Sequence, residues 1–172
     1  LGDGEALPEA LKRALAQNEF HLLYQPQFSA QNCRLTGVEA LLRWVNPSLG
    51  LIPPDRFIPL AESLGLIVPI GRWALEEACR QSVRWMSAGH RLRMAVNVSP
   101  LQFSRPDFTK IVLEVVAYTG MDPSLLELEL TESCLMVDPD LARCQMDELR
   151  AAGIRLSLDD FGTGYSSLSC LH

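Results

Sequence analysis

The sequence predicts an α/β fold of the (β/α)8 barrel type, and three observations carry that prediction. Strand-like runs alternate with amphipathic helical stretches, the pattern of a parallel sheet with helices outside it. Oxygen-bearing side chains recur near the ends of the strand-like runs, at Glu39, Asn97, Glu129 and Asp159. Asn97 lies 32 residues before Glu129, and Glu129 lies 30 before Asp159, against roughly 31 for each strand–helix unit of a ~250-residue barrel. The 172 residues accommodate only about the first five strands of such a barrel.

The elements follow in order. Pro8 to Gln17 reads as a short opening helix. Phe20 to Phe28 and Thr36 to Trp44 read as strands, separated by the polar turn Ser29-Ala30-Gln31-Asn32. A Pro-rich stretch comes next (Asn46-Pro47, Pro53-Pro54), then a short helix around Phe57 to Leu64. Together these absorb the longer gap between Glu39 and Asn97. Pro69 to Ala88 carries an apolar stripe at Leu75, Ala78, Cys79, Val83 and Met86, and Gly89 is its stop. Met94 to Val98 is a strand. The helix after it sets Phe108, Ile111, Val112, Val115 and Val116 on one face and ends at Gly120. Leu125 to Leu130 is the next strand. Asp138 as N-cap, Pro139 as first helical residue and Gly153 as C-terminal stop punctuate the helix behind it. Ile154 to Leu158 is the last strand.

Strand alternation sorts the side chains. Glu39, Leu41 and Arg43 share a face opposite Val38, Ala40, Leu42 and Trp44. Asn97 shares its face with Ala95 and Ser99, Glu129 with Glu127 and Thr131, and Asp159 with Ser157. In parallel strands of a barrel these residues meet at the C-terminal mouth, where barrel active sites lie. Each residue alone has an ordinary explanation. A glutamate in Leu126-Glu127-Leu128-Glu129 is usually a solvated face, and a lone asparagine usually caps a turn. One exposed face does not account for the parallel pattern and the regular spacing together. Three acids and an amide suit hard divalent cations, which prefer oxygen ligands. The doubled Asp159-Asp160 suits a bridged metal pair that clamps a phosphoryl group.

The residues around these positions carry a resemblance. Glu39-Ala40-Leu41-Leu42-Arg43, Asn97-Val98-Ser99, Glu129-Leu130-Thr131-Glu132 and Asp159-Asp160-Phe161-Gly162-Thr163-Gly164-Tyr165 closely resemble the EAL family of cyclic-di-GMP phosphodiesterases. The likeness runs from about Leu7 to the last residue. It implies a TIM-like barrel whose first strand is antiparallel, and hydrolysis of cyclic-di-GMP to linear pGpG with two Mg2+ or Mn2+ ions. Glu39, Asn97, Glu129 and Asp159 would hold the first metal, and Asp159 with Asp160 the second, so that Glu39, Asp159 and Asp160 are the catalytic acids. Arg43 would contact a substrate phosphate, and Gln25, in Tyr24-Gln25-Pro26, would also touch substrate. Glu132 would hold the Asp-Phe-Gly-Thr-Gly loop, whose glycines let it fold over the mouth.

Residues 1–172 are then expected to be a partial EAL domain without its last three strand–helix units, which supply a lysine and a further glutamate. The chain by itself is expected to be inactive. Two alternatives remain: a catalytically silent cyclic-di-GMP receptor, and a dimerisation or regulatory module of a longer signalling protein. The resemblance also implies a homodimer and an upstream sensory or GGDEF-type domain.

Composition narrows the partners. A net charge of −6 argues against duplex nucleic acid. No apolar run approaches the ~18 residues of a membrane span, and the start, Leu1-Gly2-Asp3-Gly4-Glu5, is not a signal peptide. A cytoplasmic location is expected, with any membrane anchor in another domain of a longer chain, since the first residue is Leu. The cysteines (Cys33, Cys79, Cys134, Cys144, Cys170) are scattered and are expected to be reduced thiols. His21, His90 and His172 have no dyad spacing, and Trp44, Trp73 and Trp85 suit core packing.

Overall fold

A computed structural model describes residues 3–159, so Asp160 and the Asp-Phe-Gly-Thr-Gly segment lie outside the described residues. Helix α1 (Asp3–Ala14) begins before Pro8, earlier than the sequence suggests. Leu7 is buried with Leu11 and Ala14, so the turn ahead of the proline is packed too. The missing Pro8 N–H costs the helix a single hydrogen bond.

Strands β1 (Phe20–Phe28) and β2 (Leu35–Asn46) form a long antiparallel ribbon, so the first strand is antiparallel as expected. Strand β3 (Gly50–Ile52) adds to β2 in the stretch read as a Pro-rich loop. Three residues are too few to show alternation. What makes its turn is Asn46, whose Oδ1 accepts from the backbone N–H groups of Ser48 and Leu49, both at 3.0 Å. The Asn46 Nδ2 donates to buried Glu19 Oε2 at 3.0 Å, and the Trp44 indole donates to the same oxygen at 2.8 Å. The hairpin is thereby tied to the segment between α1 and β1.

Helices α2 (Pro54–Ser63) and α3 (Ile67–Ser87) precede strand β4 (Arg93–Asn97). A one-turn α4 (Pro100–Phe103) and helix α5 (Phe108–Thr119) lead, through a 3-10 turn at Pro123–Leu125, to β5 (Leu126–Thr131). Then come a short α6 (Glu132–Met136), α7 (Pro139–Ala151) and β6 (Arg155–Asp159). The expected punctuation is present. Gly120 closes α5 in the left-handed region at φ 76°, and the Asp138 side chain accepts from Leu141 N at 3.0 Å to start α7.

The sheet order is β1-β2-β4-β5-β6, with β2, β4, β5 and β6 parallel and β3 hung on β2. Its outer face is apolar. Val38, Ala40, Met94, Val96, Leu126, Leu128 and Leu130 are buried beneath α3, α5 and α7. A second core sits where α1, α2 and the start of α3 close over the β1–β3 hairpins. There Trp44 and Phe57 pack edge to face at 5.7 Å, with Phe20 6.0 Å from each. Among the described residues no helix is long and apolar enough to cross a membrane. Cys33, Cys79, Cys134 and Cys144 are free thiols, and burial pushes Cys79 up to about 12, leaving it unreactive.

The inner face needs close approach at one point. Gly37 pairs with Arg93 across β2 and β4, and a Cβ there would lie 2.7 Å from the Arg93 carbonyl oxygen. Gly37→Ala is therefore expected to push the two strands apart and cost about 1–3 kcal/mol, measured by urea unfolding. A midpoint equal to wild type would show that the strands separate without strain.

Candidate functional site

The four predicted ligands do not share one rung of hydrogen-bonded register, yet they reach one level. Glu39 pairs with Ala95, two residues short of Asn97. Asn97 pairs directly with Glu129, which in turn pairs with Ser157, two residues short of Asp159. From β2 to β6 the ring therefore advances by two, none and two residues. An eight-stranded barrel of shear 8 advances about one residue per strand, and side chains on one face shift only by even steps. The stagger is what strand tilt requires of side chains lying at one height.

At that height the groups interact. Asn97 Nδ2 donates to Glu39 Oε1 at 3.0 Å, which leaves the amide oxygen of Asn97 as the free acceptor. The Glu129 carboxyl is pushed up to about 8, first by burial, then by the charge of and a hydrogen bond with Glu39, and then by the charges of Asp159 and Glu127. Glu129 thus holds its proton to a higher pH than an exposed glutamate does. Asp159 ends β6, half-buried.

Arg43 lies on the same face of β2, half-buried, with Nη1 donating to the Leu42 carbonyl at 2.9 Å. Gln25 is the direct cross-strand partner of Glu39 and is exposed. Glu132 opens α6 just past β5 and is exposed at the same end of the sheet. The loop it is expected to hold, like Asp160, falls outside the described residues. His21 and His90 are exposed, and Trp44 is core as expected.

The family model for the EAL domain matches residues 8–172. The chain belongs to the EAL family. It is 48% identical over 159 residues to the bifunctional diguanylate cyclase/cyclic di-GMP phosphodiesterase MucR of Pseudomonas aeruginosa, covering 92% of this chain and 23% of that protein. To the cyclic di-GMP phosphodiesterase PdeR of Escherichia coli it is 40% identical over 161 residues, 94% of this chain and 24% of that one. The solved PaMucR phosphodiesterase, a c-di-GMP complex, superposes with a TM-score of 0.88 at 47% identity, over 94% of this chain and 66% of that one. The EAL enzyme Bd1971, in its cAMP and cyclic-di-GMP bound form, gives 0.85 at 31% identity, over 96% and 46%. The chain thus spans about a quarter of the curated relatives' length. Its six-stranded sheet is a section of the EAL barrel wall.

The donor chemistry of this EAL ring fits a divalent cation. All the candidate ligands are oxygens, and mutual repulsion among partly buried carboxylates is what a hard cation relieves. Among the described residues no three His, Cys, Asp or Glu side chains are gathered closely enough to hold a metal ion by themselves. The ring instead counts an amide, Asn97, among its members.

Sequence reading missed two groups nearby. Arg93 Nε lies 2.7 Å from Glu127 Oε2, with its N–H off that line, so the contact is a charge pair rather than a hydrogen bond. Arg93 Nη2 also donates to Gln27 Oε1 at 3.4 Å. Alternation was a usable signal for this pair, because Arg93 and Glu127 both fall on the face of the ligands. The second group, Glu62 at the mouth, had no such signal.

Because Glu129 must lose its proton to bind a cation, Mn2+ affinity is expected to rise about tenfold per pH unit below about 8 and to level off above it. In the metal-free protein the sign for stability is opposite. The folded state retains a proton that the unfolded chain releases, so Glu129's contribution falls as pH rises from its ordinary value towards about 8. Calorimetric Mn2+ titrations between pH 6 and 9 check the first expectation, and a flat affinity below pH 8 would contradict it.

Proposed function

We propose that this EAL domain hydrolyses one phosphodiester bond of cyclic-di-GMP, yielding linear pGpG, with Mg2+ or Mn2+ held by Glu39, Asn97, Glu129, Asp159 and Asp160. The observation that carries this reading is the convergence of Glu39, Asn97, Glu129 and Asp159 on one face of the parallel strands, with Asn97 paired to Glu129 and its amide 3.0 Å from Glu39, at the level where barrel enzymes work. Burial, and then the neighbouring Glu39 and Asp159, push the Glu129 carboxyl up. The likeness to the cyclic di-GMP phosphodiesterases MucR and PdeR supports the substrate.

The residues divide the work. Glu39 orients the Asn97 amide through the 3.0 Å hydrogen bond to its nitrogen, so that the amide oxygen is left to serve as the ligand. Glu129 gives up its proton on loading. Asp159 and Asp160, adjacent in sequence, would both lend carboxylate oxygens to the metals. A bound metal pair supplies polarisation of the phosphodiester and a lowered pKa for an attacking water. Arg43, released from the Leu42 carbonyl, contacts a substrate phosphate by a charge-assisted hydrogen bond, and Gln25 borders the same face beside Glu39. Glu132 steadies the loop that follows Asp160. The domain works inside a longer cytoplasmic signalling protein, paired with a second copy and governed by a sensory or GGDEF-type domain.

In the full-length protein, Glu39→Ala and Asp159→Asn are expected to abolish Mn2+ binding and pGpG formation together, followed by calorimetry and by chromatography of products. Arg43→Ala is expected to weaken cyclic-di-GMP binding about tenfold or more while sparing Mn2+. Tight cyclic-di-GMP binding by the wild type without any pGpG would instead make the domain a silent receptor. Unchanged metal affinity in both acid variants would remove the ligand assignment.

A further inference from the structure

The strand end that carries Asn97 is held from two sides. On one, Val98 N donates to the Glu129 carbonyl at 3.0 Å. On the other, Ser99, two residues past Asn97, is bonded to two helices. Its backbone N–H donates to Gln102 Oε1 of α4 at 3.0 Å, its Oγ accepts from Leu101 N at 3.3 Å, and its hydroxyl donates to Glu62 Oε1 of α2 at 2.8 Å. The Gln102 carboxamide lies over Gly71 of α3, where any Cβ would overlap it.

A hydroxyl has one proton. Giving it to Glu62 turns the Ser99 lone pairs towards Leu101 N–H and fixes the rotor. Glu62 has no evident reason of its own to occupy that place. It sits in the last turn of α2, where a carboxylate opposes the helix dipole and the turn itself holds no basic residue. Its partner is 37 residues away in sequence, at the barrel mouth.

We propose that Glu62 is a positioning residue for the metal site. Through Ser99 it sets the end of β4, and so the direction of the Asn97 amide oxygen. This rests on the reading of Asn97 as a metal ligand. The long excursion between β2 and β4 then has a purpose beyond filling space, because α2 reaches back to brace the strand that leaves it.

The test uses the full-length protein and Mn2+ alone, with free Mn2+ counted by electron paramagnetic resonance, so no turnover is needed. Glu62→Ala is expected to weaken Mn2+ binding about tenfold, the lower end of what loss of a ligand's supporting partner costs. Glu62→Gln keeps an acceptor oxygen for Ser99 and is expected to stay near wild type. In an Asn97→Ala background, Glu62→Ala is expected to cost nothing further. A Glu62→Gln variant as weak as Glu62→Ala would mean that charge, not the hydrogen bond, matters, and would overturn the proposal. So would an undiminished cost in the Asn97→Ala background, which would mark a general defect of the fold. If Asn97→Ala weakens Mn2+ while Glu62→Ala does not, the brace falls and the metal site stands. If Asn97→Ala binds as tightly as wild type, both fall.

Discussion

Like charges held close together are the constraint on which the mouth of this sheet is organised. Glu39, Glu129 and Asp159 repel one another, and burial makes the repulsion stronger than it would be in water. Free side chains would swing apart. These cannot move far, because each rides on a strand bonded to its neighbours. The apolar outer face, packed beneath α3, α5 and α7, supplies the stability that the inner face gives up. The result is a site whose carboxylates have something to gain from a cation and little room to evade it.

Beneath that level the inner face is arranged to add little to the strain. Glu127 lies one turn of the pleat below Glu129, and its charge is answered by Arg93 at 2.7 Å. Arg93 has space because the strand opposite presents Gly37. Ala95, fully buried between Glu39 and Glu127 in the register, likewise offers no group that competes with the ring. The inner face thus carries small or charge-paired residues below and gathers carboxylates above.

How much of this was legible in the sequence depended on the kind of signal. Alternation in β2, β4 and β5 is a local property of the chain, so the face of Glu39, Asn97 and Glu129 was readable, and so were the caps at Gly120 and Asp138. The strand β3 was not, being three residues long and built by an asparagine side chain rather than by pattern. The one-turn α4 and the short α6 were equally invisible, since neither is long enough to show a period. The Ser99–Glu62 bond depends on how α2 lies against the sheet. Hydrophobic spacing says which side of α2 is buried, through Phe57 and Ala61, but not where its last turn points. The raised carboxyl of Glu129 was beyond reach for a related reason, because it needs the depth and distance of its neighbours, not their order.

The reversed first strand has a consequence for where the chain meets the sheet. In a regular barrel the chain enters at the floor, far from the chemistry. Here β1 runs against β2, so Phe20 stands beside Trp44, and the connection from α1 arrives at the rim. Glu19 in that connection is bonded to Trp44 and Asn46, and Trp44 adjoins Arg43. A displacement of α1 is therefore passed through Glu19 to the C-terminal end of β2, beside Arg43. The chain enters the sheet at the end where Glu39, Asn97, Glu129 and Asp159 gather, not at the opposite one.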